Sequence, residues 1–281
     1  MSPARFLSRR YGAAAEAFTV GTEDGIPLTG TRLGTGPAPA LVLCHGFFGW
    51  HRKPRIAALA EALSRWFTVY AFDFRGHGRS GGLCTYGDLE YLDVDAVARR
   101  AREEVDGPVV TMGVSMGGIA VIRQAALRGG VDAVVAISTP ARWDGHASAA
   151  VRRIRRMTDT RSGRRLARLL GVRLSETWSH PEDPEAVVGR IAPTPLILVH
   201  GRDDHFFEED EVWRLYRRAG RPKRLLLARR FGHAEDGLNP ALADLLARRV
   251  LQALGRPLPS PAVDPGASGL TEGATPGVPS S

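Results

Sequence analysis

Through the middle of the chain, short apolar runs alternate with stretches whose apolar positions recur every three or four residues. The runs are PALVLCHG (39–46), FTVYAFDF (67–74), PVVTMGV (108–114), VDAVVAIS (131–138) and PLILVHG (195–201). Each is short, apolar throughout and bounded by turn signals, which predicts strands buried on both faces. Between them, residues 54–65 set Ile56, Leu59, Ala60 and Leu63 on one stripe, and residues 90–105 do the same with Val94, Val97, Ala98, Ala101 and Val105. Segments 116–128, 209–219 and 239–254 carry the same helical spacing, and 223–228 is a further strand pattern. Apolar strands separated by helices specify an α/β fold, with a mostly parallel central sheet covered by helices on both faces. AEAFTVGT and IPLTGTRL alternate apolar and polar positions instead and are joined near Asp24-Gly25. They predict an antiparallel hairpin at the sheet edge.

The rhythm breaks once. Between Ser138 and Pro195 there is no strand pattern, and 141–175 holds ten Arg against Asp144 and Asp159. That length exceeds an ordinary crossover and matches an inserted helical cap. More than half of residues 256–281 are Pro, Gly or Ser. Such a segment buries too little surface to offset its ordering entropy. The chain therefore divides into a flexible N-terminus (1–14), a core (15–139 and 193–254), the cap, and a disordered tail (255–281).

Composition narrows the function classes. Hydrophobic content of 43% and charged content of 24% suit a packed globular core. The formal charge is +8, yet Lys53 and Lys223 are the only lysines and no nucleic-acid-binding signature accompanies the arginines. The excess reads as solvated surface, with no nucleic-acid partner. Cys44 and Cys84 form neither a disulfide framework nor a zinc pattern. No apolar stretch of signal-peptide length follows Arg5, Arg9 and Arg10, and none approaches about 18 residues. A cytoplasmic protein without a membrane span is the expectation. No heptad pattern is present, and oligomeric state is left open.

Candidate chemistry begins at GVSMGG (113–118), which falls between a strand and a helix. In that context G-x-S-x-G places a serine on a tight turn, clear of the sheet, at a helix N-terminus. Ser115 is the candidate nucleophile, and the Met116 N–H a candidate oxyanion donor. Of the eight histidines, His233 lies in FGHAED after the strand 223–228, on the edge where a parallel sheet binds ligands. It is the candidate base. LVHGRDDHFFEED follows the strand at 195–199 and offers Asp203 and Asp204 as the carboxylate that orients the base. The second oxyanion donor is expected from CHGFFGW, as the Phe47 N–H, with His45 shaping the turn. Phe48, Trp143 and Phe206, together with Phe47 and Phe207, are candidates to line an apolar acyl pocket. The expected partner is a small acyl substrate. Neither a metal nor an organic cofactor is needed.

Taken in order, HGF (45–47), DFRGHGRS (73–80), GVSMGG (113–118), HGRDD (200–204) and GH (232–233) resemble the α/β-hydrolase superfamily over roughly residues 16–254. The resemblance implies a nucleophile elbow at Ser115, a base at His233 and an acid three residues after a strand-ending glycine, which points from Gly201 to Asp204. It also implies that Asp73, Arg75 and His77 are architectural, and that 140–192 is a helical cap inserted between the sixth and seventh strands. The activity implied is a serine hydrolase, carboxylesterase-like, working through a Ser-His-Asp triad and an acyl-enzyme. The same triad serves thioesterases, acyltransferases, carbon–carbon bond hydrolases and cofactor-free haloperoxidases, and the fold also serves as a ligand receptor. Relatives that use an Asp nucleophile are disfavoured by Ser115.

Overall fold

The computed structural model describes residues 8–12, 14–34, 39–143, 148–177, 179, 181–257 and 270–272. The strands are β1 (Ala15–Gly21), β2 (Pro27–Leu33), β3 (Ala40–Cys44), β4 (Thr68–Phe72), β5 (Val109–Val114), β6 (Ala133–Ile137), β7 (Leu196–Gly201), β8 (Lys223–Ala228) and β9 (Leu270–Glu272). They form one sheet in the order β1-β2-β4-β3-β5-β6-β7-β8-β9. β3 to β8 run parallel to one another, while the β1–β2 hairpin joins β4 antiparallel, as the alternating pattern predicts.

The helices are α1 (Pro54–Leu63), α2 (Glu90–Glu104), α3 (Met116–Leu127), α4 (Ala149–Asp159), α5 (Arg161–Leu169), α6 (Pro184–Val187), α7 (Glu209–Arg218) and α8 (Pro240–Ala253). Successive side chains of a strand face opposite sides. Val42 and Cys44 of β3 thus pack in one core with α2, α3 and α7, while Leu41 and Leu43 pack in the other with α1 and α8. The chain steps from β3 outward to β4, then returns past β3 to β5. The direction of winding reverses between β3 and β5, the place where open parallel sheets bind ligands.

The cap comprises α4, α5, α6 and a 3₁₀ turn, Val188–Ile191, all between β6 and β7. Ser148 caps α4 through the Val151 N–H, and Thr160 caps α5 through the Gly163 N–H. The segment leaving α5 is extended rather than helical. It bridges His77 through Val172 and Cys84 through Leu174. Cys84 N–H donates to the Arg173 carbonyl (2.7 Å), and Arg173 N–H to the Gly76 carbonyl (2.8 Å). The Arg173 guanidinium adds bonds to the Ser80 and Gly82 carbonyls. This seam is main-chain pairing between distant segments, which side-chain periodicity does not encode.

Where they are described, both terminal segments bond to the core. Arg9 N–H donates to the Arg52 carbonyl, Trp50 Nε1–H to the Ser8 hydroxyl, and the Tyr11 hydroxyl to the His51 carbonyl. The Tyr11 ring also stacks on His51, with centroids 6.0 Å apart. Most of the proposed 255–281 tail lies outside the described residues. Within it, Leu270–Glu272 pairs antiparallel with β8, because an open strand edge recruits backbone irrespective of side-chain composition.

Candidate active site

Ser115 follows β5 and precedes α3, and its backbone stands at φ 54° and ψ −116°. A non-glycine residue there carries about 1–3 kcal/mol of strain. The turn persists because it is held on every side. Ser115 N–H donates to the Ile137 carbonyl (2.8 Å), and the Ser115 carbonyl accepts from Gly118 N–H (2.8 Å). A Cβ on Gly113 would stand 2.1 Å from the Gly117 carbonyl oxygen, and one on Gly117 would stand 2.6 Å from those of Cys44 and His45. Gly113→Ala is accordingly expected to cost roughly 3 kcal/mol of stability, read as a lowered Tm and denaturation midpoint. A variant that melts with the wild type would contradict so close an approach.

His233 follows β8 and Asp204 follows β7, so adjacent parallel strands deliver both to the same edge. Asp203 N–H donates to the Phe231 carbonyl (3.1 Å), tying the two loops together. His233 Nε2 lies 3.1 Å from Ser115 Oγ, and its Nδ1 lies 2.9 Å and 3.0 Å from the two Asp204 oxygens. Asp204 Oδ1 also accepts from the N–H groups of Phe206 (2.8 Å) and Phe207 (3.0 Å). Burial alone would raise the Asp204 carboxyl. Hydrogen bonding and charge from His233, with those two N–H groups, hold it below the ordinary carboxylate range. Of the two acidic candidates, Asp204 is the one that reaches the ring, while Asp203 is exposed.

The loop after β3 brings Phe47 beside the turn. A Cβ on Gly46 would lie 3.4 Å from the Ser115 Cβ. No protein acceptor for the Phe47 or Met116 N–H occurs among the described residues. His45 is fully buried. Its Nε2 accepts from Phe74 N–H (3.1 Å), so its Nδ1–H donates to the Gly46 carbonyl (2.7 Å). Burial, then the neighbouring His77, push its pKa down to about 3. It is a neutral strut.

DFRGHGRS braces the loop after β3. Asp73 Oδ1 accepts from His51 N–H (2.8 Å) and His51 Nδ1 (2.7 Å), and Oδ2 accepts from Arg79 N–H (3.0 Å). Arg75 pairs with Asp93 and Asp24, and the buried His77 ring lies between the Arg75 and Phe47 carbonyls. Burial alone would raise the Asp73 carboxyl, but the charge and hydrogen bonds of His51 hold it far below the ordinary range. A depressed carboxylate stabilises the fold above its unfolded pKa of about 4 and loses that contribution as pH falls through its folded value. Asp73→Asn should therefore lower Tm most above about pH 5, with the gap to wild type narrowing below about pH 4. A gap independent of pH would count against a native charged Asp73.

These elements enclose a cleft of about 760 Å³. Phe48, Trp143 and Phe206 all line it, as do Phe207 and His205. Phe206 packs on the His233 ring with centroids 4.4 Å apart. Sequence reasoning missed Tyr86, which stacks on Phe47 at 5.4 Å, and the cap residues Val151 and Ile154. The spacing of the last two, with Thr158, was a readable signal. Ser138 was also missed. Its buried hydroxyl accepts from Ala234 N–H (3.0 Å), next to His233. No local signal marks that contact.

A sequence profile of the alpha/beta hydrolase family matches residues 41–268. The uncharacterized protein YfhR of Escherichia coli O157:H7 is 31% identical over 230 residues, spanning 76% of this chain and 72% of its own length. Among solved structures, the esterase Pf2001 of Pyrococcus furiosus is similar with a TM-score of 0.67 at 22% identity, covering 91% of this chain and 95% of that one. The esterase RhEst1 of Rhodococcus sp. ECU1013 has a TM-score of 0.69 at 16% identity, covering 85% and 98%. At these identities the structural likeness carries the fold alone. No helix among the described residues is long and apolar enough to cross a membrane.

Proposed function

The chain belongs to the alpha/beta hydrolase family, and from that premise we propose that this hydrolase cleaves carboxylic esters of apolar acyl groups through Ser115, His233 and Asp204. The observation that carries the proposal is the unbroken relay from Ser115 Oγ through His233 to Asp204, at 3.1 Å and 2.9 Å. With Asp204 accepting from Nδ1–H, the Nε2 lone pair faces the serine hydroxyl.

In the proposed cycle, His233 takes the Ser115 proton as Oγ attacks the ester carbonyl. The oxyanion forms against the Phe47 N–H in the loop after β3 and the Met116 N–H at the start of α3, a donor arrangement of which each member is worth about 10²–10³ in rate. Collapse expels the alkoxide, which leaves as the alcohol with the proton from His233. Water, deprotonated by His233, attacks the acyl-enzyme. The carboxylic acid departs and the proton returns to Ser115.

Ester rather than anionic thioester cleavage is favoured by how the cleft's cations are spent. Lys53 pairs with Glu235, Arg55 with Asp236, Arg142 with Glu211 and Arg164 with Glu176, and Arg155 donates to the Trp143 carbonyl. What remains for the acyl chain is largely aromatic and aliphatic. The test is a panel of p-nitrophenyl esters of increasing chain length beside acyl-CoA thioesters and anilides, with a fluorophosphonate probe. The expected result is labelling at Ser115 and kcat/KM highest for neutral esters. A protein that resists the probe but is stabilised by ligand would be a receptor of this fold. One fastest on acyl-CoA would be a thioesterase.

A further inference from the structure

The cap carries a surface that the hydrolytic reading does not use. Exposed large hydrophobic side chains are few among the described residues; apart from Leu127 at the end of α3, they lie in or next to the segments that the cap seam joins. Leu166, Leu169 and Leu170, in and just after α5, are 47%, 68% and 43% exposed, and Leu83 is 49% exposed. Leu83 precedes Cys84, which pairs with the segment leaving α5. Apolar side chains that gather on a surface mark a place of interaction.

The arginines are arranged around them. Arg161, Arg165 and Arg168 are exposed on α5, and Arg152 and Arg156 on α4. Over residues 150–174 the only acid is Asp159. At 3.6 residues per turn, Arg161, Arg165 and Arg168 fall within an arc of about 60°, and the three leucines within an adjoining arc of about 100°. Gly163 and Ala167 occupy the third arc and are buried against the protein. α5 is therefore anchored by small residues and shows the outside two contiguous bands, one of leucine and one of guanidinium.

We propose that this face of the cap docks the protein on an anionic lipid surface. Leucines entering the acyl boundary beside arginines at the phosphate level are the two attractions that hold an amphipathic helix in a membrane interface. Neither demands a partner of fixed shape, which suits a convex helix face without a groove. A second copy of the chain fits poorly, since a symmetric contact would set the same arginines against each other, and the acids nearest in sequence, Asp159 and Glu176, are fewer than the arginines, with Glu176 already paired to Arg164. Arg164 and the Thr158–Asp159 end of α4 line the cleft, so docking would present the cleft mouth to the lipid.

The test is co-sedimentation of the full chain with vesicles of phosphatidylcholine alone or with about a third phosphatidylglycerol. Binding is expected on the anionic vesicles only, weakening steeply as salt rises. Arg165→Gln/Arg168→Gln should weaken it about 25-fold, from about fivefold per arginine. Leu166→Ser/Leu169→Ser should weaken it at least about tenfold. Both pairs lie outside the cleft, and an unchanged Tm and unchanged hydrolysis of a short soluble ester would certify their fold. Ser115→Ala should bind as wild type does, so the docking stands or falls apart from the hydrolytic reading. Absence of vesicle binding overturns the proposal, as does equal binding to neutral vesicles or binding unmoved by both variants. Two other outcomes also overturn it by assigning the face elsewhere. One is a concentration-dependent dimer abolished by Leu169→Ser. The other is binding of poly-L-glutamate, but of no vesicle, that is lost in the arginine variant.

Discussion

Ser115→Ala is expected to lower p-nitrophenyl ester turnover by about 10⁴- to 10⁶-fold while leaving the fold intact. The size follows from what remains. Without Oγ there is no acyl-enzyme, and only binding and the two N–H donors act on a water that His233 reaches poorly. KM should change little, because the hydroxyl contributes to the transition state rather than to the acyl contacts. A companion variant separates catalysis from architecture. Ser115 sits at φ 54°, a conformation that glycine adopts without strain. Ser115→Gly should therefore be as inactive as Ser115→Ala yet more stable, by about 1 kcal/mol. Retained turnover in either variant would remove Ser115 from the mechanism. A destabilised glycine variant would mean the turn stores no strain.

Asp204→Asn is expected to cost about 10⁴-fold in kcat, whereas Asp203→Asn should stay within about twofold of wild type. The asymmetry comes from hydrogen-bond polarity. Asp204 Oδ1 is fixed by the Phe206 and Phe207 N–H groups, so an asparagine would keep its carbonyl oxygen there. Its NH₂ would then occupy the Oδ2 position, 2.9 Å from His233 Nδ1. A donor at that point favours the tautomer with hydrogen on Nε2, which cannot take a proton from Ser115. Asp203 engages through its backbone N–H, and asparagine has the same one. Equal losses in the two variants would mean that the carboxylates share the role, and no loss in Asp204→Asn would dismiss the relay.

The strands and helices were legible because burial on both faces leaves an unbroken apolar run and burial on one face a stripe. β3 to β8 and their helices carry those signatures in residues such as Val42, Val110 and Leu198. Ser115 and His233 were singled out because each lies at a local break between elements. The choice between Asp203 and Asp204 was not settled by position, since neighbours in a loop point apart and the turn at Phe206–Phe207 decides which faces inward. Tyr86, Ser138 and the strand-like exit from α5 were not legible at all. Each takes its place from a segment distant in the chain: Tyr86 from Phe47, Ser138 from Ala234, and Val172–Leu174 from His77 and Cys84.

The seam between residues 76–84 and 172–175 bears on how such a cap can be transplanted. One leg of the cap is stitched main chain to main chain onto a loop that also holds Phe47 through His77. A chimera that grafts a foreign insert between β6 and β7 would leave the Gly76, Ser80 and Cys84 carbonyls without their donors and slacken the turn beneath the cleft. A workable exchange has to move the 76–84 loop together with the insert, as one two-piece cassette.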